Sequence, residues 1–158
     1  MILYQSQLVL ADLLNEAGQL KYWLDGAGVL MSITQSGGIP TTLATTTIGR
    51  ACAEIANFRN KRPLHLMVNN LPARTTTPVH NDAVKNRAGE KAEPGTIERW
   101  HLPIKTNSEA YWWDEQDGIQ LHFKEGVWYG PLPFWTNHQV INNGSIDRIQ
   151  LVVDLDDL

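Results

Sequence analysis

The second half of the chain is a succession of short apolar runs separated by turn-forming or charged residues. From about residue 63 these runs are "PLHLMVNN", "TTTPVHND", "IERWHLPIKT", "AYWW", "IQLHF", "GVWYG", "NHQVI" and "DRIQLVVDL". Each run has the length of a strand, and Gly, Pro, Asn or charged residues lie between many of them. Closely spaced short strands of this kind predict an all-β sandwich or barrel.

Two segments of the first third have helical periodicity instead. Between Leu10 and Leu24, leucine and alanine recur every three or four positions, and the same spacing runs from Ile48 to Phe58, with Thr47 as the predicted N-cap. Helices that precede a block of strands favour a sheet with helices packed on one face. We therefore predict a single domain over residues 1–158, with a helical cover in 1–60 and a β core in 63–158.

Composition limits the classes of function. The formal net charge is −4, the isoelectric point is near 5.7 and no basic stripe stands out, which argues against nucleic acid as the main partner. Cys52 is the only cysteine, so an internal disulfide is excluded, as suits a reducing compartment. Because no basic-then-apolar leader and no apolar run of about 18 residues occurs, we expect a cytoplasmic protein that does not enter a membrane.

The five histidines differ in their neighbours, and only His80 has a carboxylate two residues on, Asp82 in "VHND". On a strand these two side chains share a face. With a histidine from a later strand, such as His138, they would form the facial triad of a non-haem Fe(II) site. A His-x-Asp arises by chance in roughly one such chain in four, but a later histidine followed ten residues on by an arginine, Arg148, lowers this to about a per cent or two.

These segments resemble the aspartyl/asparaginyl β-hydroxylase-like family of Fe(II)- and 2-oxoglutarate-dependent oxygenases, and are also similar to bacterial free-proline hydroxylases. The matching pieces are "HND", "RWHLPIKTN", "GVWYG" and "NHQVINNGSIDRIQLVVDL", in the family's order. They lie between about Thr77 and Asp154, which is roughly half of the chain, and the last piece is the most specific. The first 75 residues carry no matching motif.

The resemblance implies a double-stranded β-helix, the jelly-roll barrel also used by cupins, and a hydroxylase that uses Fe(II), 2-oxoglutarate and O2. The iron ligands that it implies are His80, Asp82 and His138. Arg148 would bind the distal carboxylate of 2-oxoglutarate, and Arg99 and His101 match positions that contact the co-substrate. The substrate would be an amino acid, either free or within a peptide, with a side chain like that of Asp, Asn or Pro.

The last two runs predict a β-hairpin with a defined register. If Asn142-Asn143-Gly144 forms a three-residue loop with a G1 bulge, His138 pairs with Arg148 and both face the barrel interior. Within "RIQLVVDL", alternation then places Arg148, Gln150, Val152 and Asp154 inside. The aliphatic alternate positions would lie outside, under the helices.

The charged segment after the "HND" motif is predicted to be an exposed loop. Residues 83–95 contain few large apolar side chains and follow directly on the metal ligands, which suits a mobile flap over the barrel mouth. The alternative is a solvated insertion with no part in catalysis.

Two other functions remain open at the level of the sequence. A cupin-type metalloenzyme that does not use 2-oxoglutarate would need the metal ligands but not Arg148. A non-catalytic jelly-roll module would not bring the histidines together on a metal. The expected partner is a small-molecule amino acid or a peptide, and the oligomeric state is not predicted.

Overall fold

A computed structural model describes residues 1–20 and 43–158 of the chain. Its helices are α1 (Leu10–Leu20) and α2 (Thr47–Arg59). Its strands are β1 (Ile2–Gln5), β2 (Arg62–Leu71), β3 (Thr75–Thr76), β4 (Glu98–Lys105), β5 (Ala110–Asp114), β6 (Gln120–Leu121), β7 (Val127–Gly130), β8 (His138–Asn142) and β9 (Arg148–Asp156).

The strands form two antiparallel sheets. One has five strands in the order β1-β7-β4-β9-β2, and the other has four in the order β3-β8-β5-β6. Neighbours in each sheet are mostly distant in sequence, as in a jelly roll, where the chain passes repeatedly from one sheet to the other. The mainly β, double-stranded β-helix expected from the sequence is confirmed.

The two helices cover the outer face of the five-stranded sheet, as predicted. One buried cluster joins apolar residues of both helices to those of the sheet: Leu13, Ala17, Ile48, Ala51, Cys52, Ile55, Leu66, Val68, Trp100, Leu102, Leu151, Val153 and Leu155. Burying each large aliphatic side chain contributes about 1.5–3 kcal/mol. Among the described residues, no helix is long and apolar enough to cross a bilayer.

Strand β9 divides its side chains as the alternation predicts. Leu151, Val153 and Leu155 are fully buried in the cluster beneath the helices. On the opposite face, Arg148 and Asp154 are also buried, although both carry charge. The interior of the barrel is therefore polar at this strand. Buried charged side chains are costly unless they have hydrogen-bonding or ionic partners.

The predicted helical cover needs two corrections, and one part of it cannot be compared. Strand β1 lies within it and pairs with β7, so the first 60 residues are not purely helical. Helix α1 is confirmed as far as Leu20, and the rest of the predicted helix, to Leu24, lies outside the described residues. The N-cap of α2 is Thr46 rather than Thr47: Thr46 has extended backbone angles and its Oγ1 accepts a hydrogen bond from Gly49 N.

The predicted hairpin between β8 and β9 is wrong. The two strands lie in different sheets, since β8 pairs with β5 and β3 while β9 pairs with β4 and β2. The connection from Asn143 to Asp147 is a crossover between the sheets. Gly144 is needed there for close approach, because a Cβ at this position would lie 2.1 Å from Asn107 Oδ1.

The segment predicted as a mobile flap, residues 83–95, packs against the body of the domain. Val84 and Ala92 are buried in a small apolar cluster, and Arg87 donates hydrogen bonds to Asp156 at 2.8 and 2.9 Å. No residue of this segment is among the described residues that line the cavity described below. Most other residues of the segment are exposed, so the prediction of an exposed loop is confirmed, and its mobility stays a prediction.

Gly49 tests how closely the first turn of α2 packs on the residues that precede the helix. A Cβ added at this position would lie 1.7 Å from the carbonyl oxygen of Leu43, which is backbone and cannot swing away. We expect Gly49→Ala to lower the free energy of unfolding by about 3 kcal/mol, the upper end for overpacking. The matched control is Gly18→Ala in α1, where a Cβ meets nothing within 4 Å. Denaturant unfolding should show that this control raises stability by about 0.5–1 kcal/mol.

Glu16 of α1 joins the two helices by capping α2. Its carboxylate accepts hydrogen bonds from Thr47 N at 2.8 Å and Ile48 N at 3.1 Å. Partial burial opposes ionisation, but these hydrogen bonds and the charge of Arg50 hold the pKa of Glu16 below its usual value. The stabilisation is therefore present above the unfolded-state pKa of about 4.3 and is lost as the pH falls through the folded-state pKa.

We expect Glu16→Gln to cost about 1 kcal/mol at neutral pH, the usual size of a capping interaction. The difference from wild type should shrink as the pH falls below about 4. Urea unfolding across this range, with the exposed Glu109→Gln as control, provides the measurement. A pH-independent difference would contradict the capping role.

Candidate metal centre

The three predicted metal ligands come from two segments that lie side by side. His80 and His138 exchange backbone hydrogen bonds of 3.0 and 2.8 Å, and another of 2.8 Å holds Asp82 N to the segment before β8. The sequence predicts a strand through His80, but β3 ends at Thr76 and only a single bridge forms at His80. Pro78 lies between Thr76 and His80, and because proline has no backbone N–H it interrupts the ladder of hydrogen bonds there. The side chains nevertheless converge.

Their ligand atoms form a compact group. One nitrogen or oxygen atom of each of His80, Asp82 and His138 lies within 4.8 Å of the others. Asp82 Oδ1 is 3.5 Å from His80 Nε2, and Asp82 Oδ2 is 3.3 Å from His138 Nε2. Donors bound to one ion at about 2.0–2.2 Å lie about 3 Å apart, so small side-chain shifts are enough for the three to share an ion.

Both imidazole rings are already oriented for metal binding. His80 Nδ1 lies 2.7 Å from the carbonyl oxygen of Pro78, and His138 Nδ1 lies 2.9 Å from that of Thr136. A carbonyl only accepts, so Nδ1 carries the proton in each ring and donates it. The lone pair of a neutral ring is then on Nε2, which faces Asp82.

Arg99 holds the carboxylate of Asp82. Its Nη1 donates to Asp82 Oδ2 at 2.7 Å, while Nε and Nη2 donate to the two oxygens of Asp154 at 2.7 and 2.8 Å. Burial alone would raise the pKa of Asp82, but its contact with His138 and the charge of Arg99 outweigh this effect, so the pKa of Asp82 lies below its usual value. Asp82 is therefore ionised at neutral pH, as a metal ligand must be.

A cavity of about 430 Å³ lies next to this cluster, between the two sheets. All six residues singled out in the sequence line it: His80, Asp82, Arg99, His101, His138 and Arg148. Cavities of this size suit small ligands. The structure therefore brings the whole predicted set together at one site.

Arg148 faces this cavity without a counter-ion. Its side chain is buried, and Nη2 has no hydrogen-bond partner among the described residues. No carboxylate in the described part of the chain forms an ion pair with Arg148. Burial lowers the pKa of Arg148 to about 9, so the guanidinium is still charged at neutral pH. A buried, charged group without a partner is costly, and a carboxylate in the cavity would satisfy it.

His101 lies between the two arginines and is neutral. Burial, followed by the charges of Arg99 and Arg148, holds the pKa of His101 well below its usual value. Its Nδ1 contacts the side-chain amide of Gln150, a fully buried residue of β9. The ring adds a hydrogen-bonding group to the cavity without adding charge.

Three neighbours of the site were not assigned a role from the sequence. Asp154 pairs with Arg99, Gln150 contacts His101, and Trp112 stacks on His138 with ring centroids 5.6 Å apart. The alternation of "RIQLVVDL" already placed Asp154 and Gln150 inside the barrel. A buried polar residue on a strand's interior face was thus the available signal for these two. For Trp112 the sequence offered either the mouth of the barrel or core packing, and the structure places it in the cavity lining.

The residues fit the groups that the resemblance implies. Two imidazoles and one carboxylate are the donors of a non-haem iron site, and this set leaves further coordination positions open. The unpaired guanidinium of Arg148 on the same cavity fits the far carboxylate of a dianionic co-substrate. The ligand and co-substrate assignments themselves remain predictions.

Comparison with known proteins supports the fold but not a sequence family. No protein-family model matches the chain, and no curated protein matches it in sequence. Among solved structures, it is similar to a viral collagen prolyl hydroxylase from Paramecium Bursaria Chlorella virus-1, solved as a 2OG complex. The TM-score is 0.61 at 10% identity over 99% of this chain and 96% of that one.

A second similar structure is the non-heme monooxygenase ThoJ in complex with Ni. The TM-score is 0.65 at 13% identity, over 99% of this chain and 73% of that one. At such identities the likeness concerns the fold alone, so the resemblance to the aspartyl/asparaginyl β-hydroxylase-like family stays a prediction. The chain has a double-stranded β-helix fold, which is the fold that it shares with these two structures.

Proposed function

We propose that the protein is an Fe(II)- and 2-oxoglutarate-dependent dioxygenase that hydroxylates an amino acid, either free or within a peptide. The observation that carries this proposal is the buried, unpaired guanidinium of Arg148 on the same cavity as His80, Asp82 and His138. An uncompensated buried charge destabilises the empty protein. A metal-binding enzyme whose substrate and co-substrate carry no carboxylate would gain nothing from such a charge.

The charges of the site support a dianionic co-substrate. The fixed groups are two carboxylates, Asp82 and Asp154, and two guanidinium groups, Arg99 and Arg148. These sum to zero, and His101 adds nothing because its pKa is held low. A divalent cation together with the dianion 2-oxoglutarate keeps the sum at zero. Neither partner alone does so, which favours their joint binding.

Each residue has a defined part in the proposed reaction. His80, Asp82 and His138 would hold iron on one face and leave the other open. Arg148 would bind the distal carboxylate of 2-oxoglutarate and so fix its 2-oxo acid end toward the metal. The chemistry supplied by bound iron is oxidative decarboxylation of 2-oxoglutarate to succinate and CO2, with one oxygen atom of O2 inserted into a substrate C–H bond.

The remaining wall of the cavity indicates which kind of substrate side chain would fit next to the metal. Beyond the groups already named, its described lining is uncharged and includes the apolar Met67, Leu71 and Val140 and the amides of Asn69 and Asn70. With Arg148 engaged by the co-substrate, this wall favours an uncharged part of the substrate close to the metal. An aliphatic ring or side chain, as in proline, meets that condition better than an aspartate side chain.

Turnover provides the test of this proposal. Purified protein with Fe(II), ascorbate, O2 and 2-oxoglutarate is incubated with a panel of free amino acids and short peptides, and succinate and hydroxylated product are quantified. We expect succinate to form with at least one panel member in a one-to-one ratio with product. Metal binding without any 2-oxoglutarate consumption would favour a cupin-type enzyme that uses another reaction.

A further inference from the structure

Arg99 occupies the junction between the candidate metal centre and the interior of the five-stranded sheet. It is buried, and three of its N–H groups donate to carboxylates, two to Asp154 and one to Asp82. With two carboxylates around it, Arg99 carries no unbalanced charge for a third anion. Arg148 on the same cavity, by contrast, has no such partner among the described residues.

The position of Arg99 is fixed by the sheet itself. Arg99 of β4 and Asp154 of β9 are direct cross-strand partners, so their side chains meet on the same face. On the other side of β9, Asp154 is opposite His65 of β2, whose Nδ1 lies 3.1 Å from Asp154 Oδ2. Arg99 also lies over the ring of Phe134 at 5.2 Å. Asp154 and Phe134 thus hold the guanidinium, and His65 in turn holds Asp154.

The contact with Asp82 is made to one carboxylate oxygen. Oδ2 accepts the hydrogen bond from Arg99 Nη1 at 2.7 Å and lies 3.3 Å from His138 Nε2, whereas Oδ1 faces His80 Nε2 at 3.5 Å. Asp82 lies outside the regular strands, in a segment with a single bridge, so its backbone alone does not set the angle of the side chain. A fork anchored on a neighbouring sheet can set it.

We propose that Arg99 and Asp154 are positioning residues for the metal ligand Asp82. The pair fixes the rotation of that carboxylate through the hydrogen bond from Arg99 to Oδ2. This differs from the co-substrate contact that the family resemblance assigns to Arg99. The inference rests on the metal-binding part of the proposed function and not on 2-oxoglutarate turnover.

The test replaces the pair as a unit. Arg99→Met with Asp154→Leu removes both charges together, which avoids leaving one of them buried and alone. The matched control is Arg59→Met with Glu98→Gln, which removes a two-hydrogen-bond ion pair from the start of the same strand. Affinity for Co(II) is measured by anaerobic titration together with the visible spectrum of the bound ion, and 2-oxoglutarate affinity is measured at saturating metal.

We expect the Arg99/Asp154 double variant to bind Co(II) about 10–100-fold more weakly, with an altered Co(II) spectrum, while the control stays within about twofold of wild type. Affinity for 2-oxoglutarate at saturating metal should change little. Unchanged Co(II) affinity and spectrum, with weakened 2-oxoglutarate binding, would overturn the proposal and return Arg99 to the co-substrate. Absence of Co(II) binding by the wild-type protein would also overturn it.

Arg99→Lys is the second variant, for use if the double variant does not fold. It keeps the charge but cannot bridge two carboxylates with a planar fork, so the same weakening of Co(II) binding is expected in a folded protein. A lysine variant with wild-type metal affinity and spectrum would contradict the positioning role. Should wild type bind Co(II) but not 2-oxoglutarate, the proposed function would fail while this inference would stand on the metal data.

Discussion

Asp82→Ala should abolish hydroxylation and weaken metal binding by more than about 100-fold, beyond what loss of an outer-shell partner costs. The change removes the only carboxylate of the three-residue cluster. Arg99 keeps its two hydrogen bonds to Asp154, and Asp82 is itself about a third exposed, so the fold should persist. We expect the free energy of unfolding of the metal-free protein to change by no more than about 1 kcal/mol.

Asn81→Ala is the matched control for this variant. Asn81 is adjacent in the chain and exposed, and its side chain bonds to Asn137 at 3.1 Å rather than to the cluster. Metal affinity and turnover should stay close to wild type. Wild-type turnover in Asp82→Ala, with the protein folded, would rule out the assignment of the three ligands.

Arg148→Met should lose 2-oxoglutarate binding and yet make the empty protein more stable. The guanidinium of Arg148 is buried without a partner, and an apolar side chain of similar length removes that penalty. We expect the free energy of unfolding without ligands to rise by about 1–3 kcal/mol. Opposite effects on stability and on function are typical of a binding residue held in an unfavourable state.

Arg148→Lys separates geometry from charge at the same position. Lysine keeps one point charge in place of a two-pronged donor, so 2-oxoglutarate affinity should fall about 10-fold or more while metal affinity is nearly unchanged. Arg62→Lys, at the start of β2 and paired with Asp156, is the control and should leave both affinities unchanged. Loss of metal affinity in Arg148→Lys would place this arginine in the metal site rather than at the co-substrate.

The residues of the candidate site could be predicted because the sequence patterns that identify them involve residues close together in the chain. Period-two alternation in "RIQLVVDL" correctly put Arg148 and Asp154 inside the barrel and the aliphatic residues under the helices. The His-x-Asp spacing brought His80 and Asp82 together even though their segment is not a regular strand. Short-range spacing survives such irregularity, because residues two apart stay near each other in any extended conformation.

The arrangement of the strands could not be predicted in the same way. The sequence "NNGS" favours a tight reversal, but here it lies in a crossover between the sheets, where Gly144 packs closely on Asn107. Similarly, β1 is only four residues long and pairs with β7, more than 120 residues away. Both features are set by tertiary contacts, on which local turn and strand preferences carry no information.

The contacts of Arg99 also could not be predicted from local sequence preferences. Alternation placed Asp154 on the inner face of its strand, and the resemblance placed Arg99 at the co-substrate. The register that sets the two opposite one another appears only in the assembled sheet. The sequence therefore predicted which residues face the cavity and missed that one of its two arginines is already paired. The distinction between Arg99 and Arg148 is the main functional information that the structure adds.

The central claim is that one cavity binds a metal ion and 2-oxoglutarate together. Anaerobic titration of the protein with Fe(II) and then 2-oxoglutarate tests it directly, because chelation of iron by the 2-oxo acid gives a weak visible charge-transfer band. We expect the band to appear with wild type, to require much more 2-oxoglutarate in Arg148→Lys, and to be absent in Asp82→Ala. Wild-type protein that binds Fe(II) but develops no band at saturating 2-oxoglutarate would contradict the account.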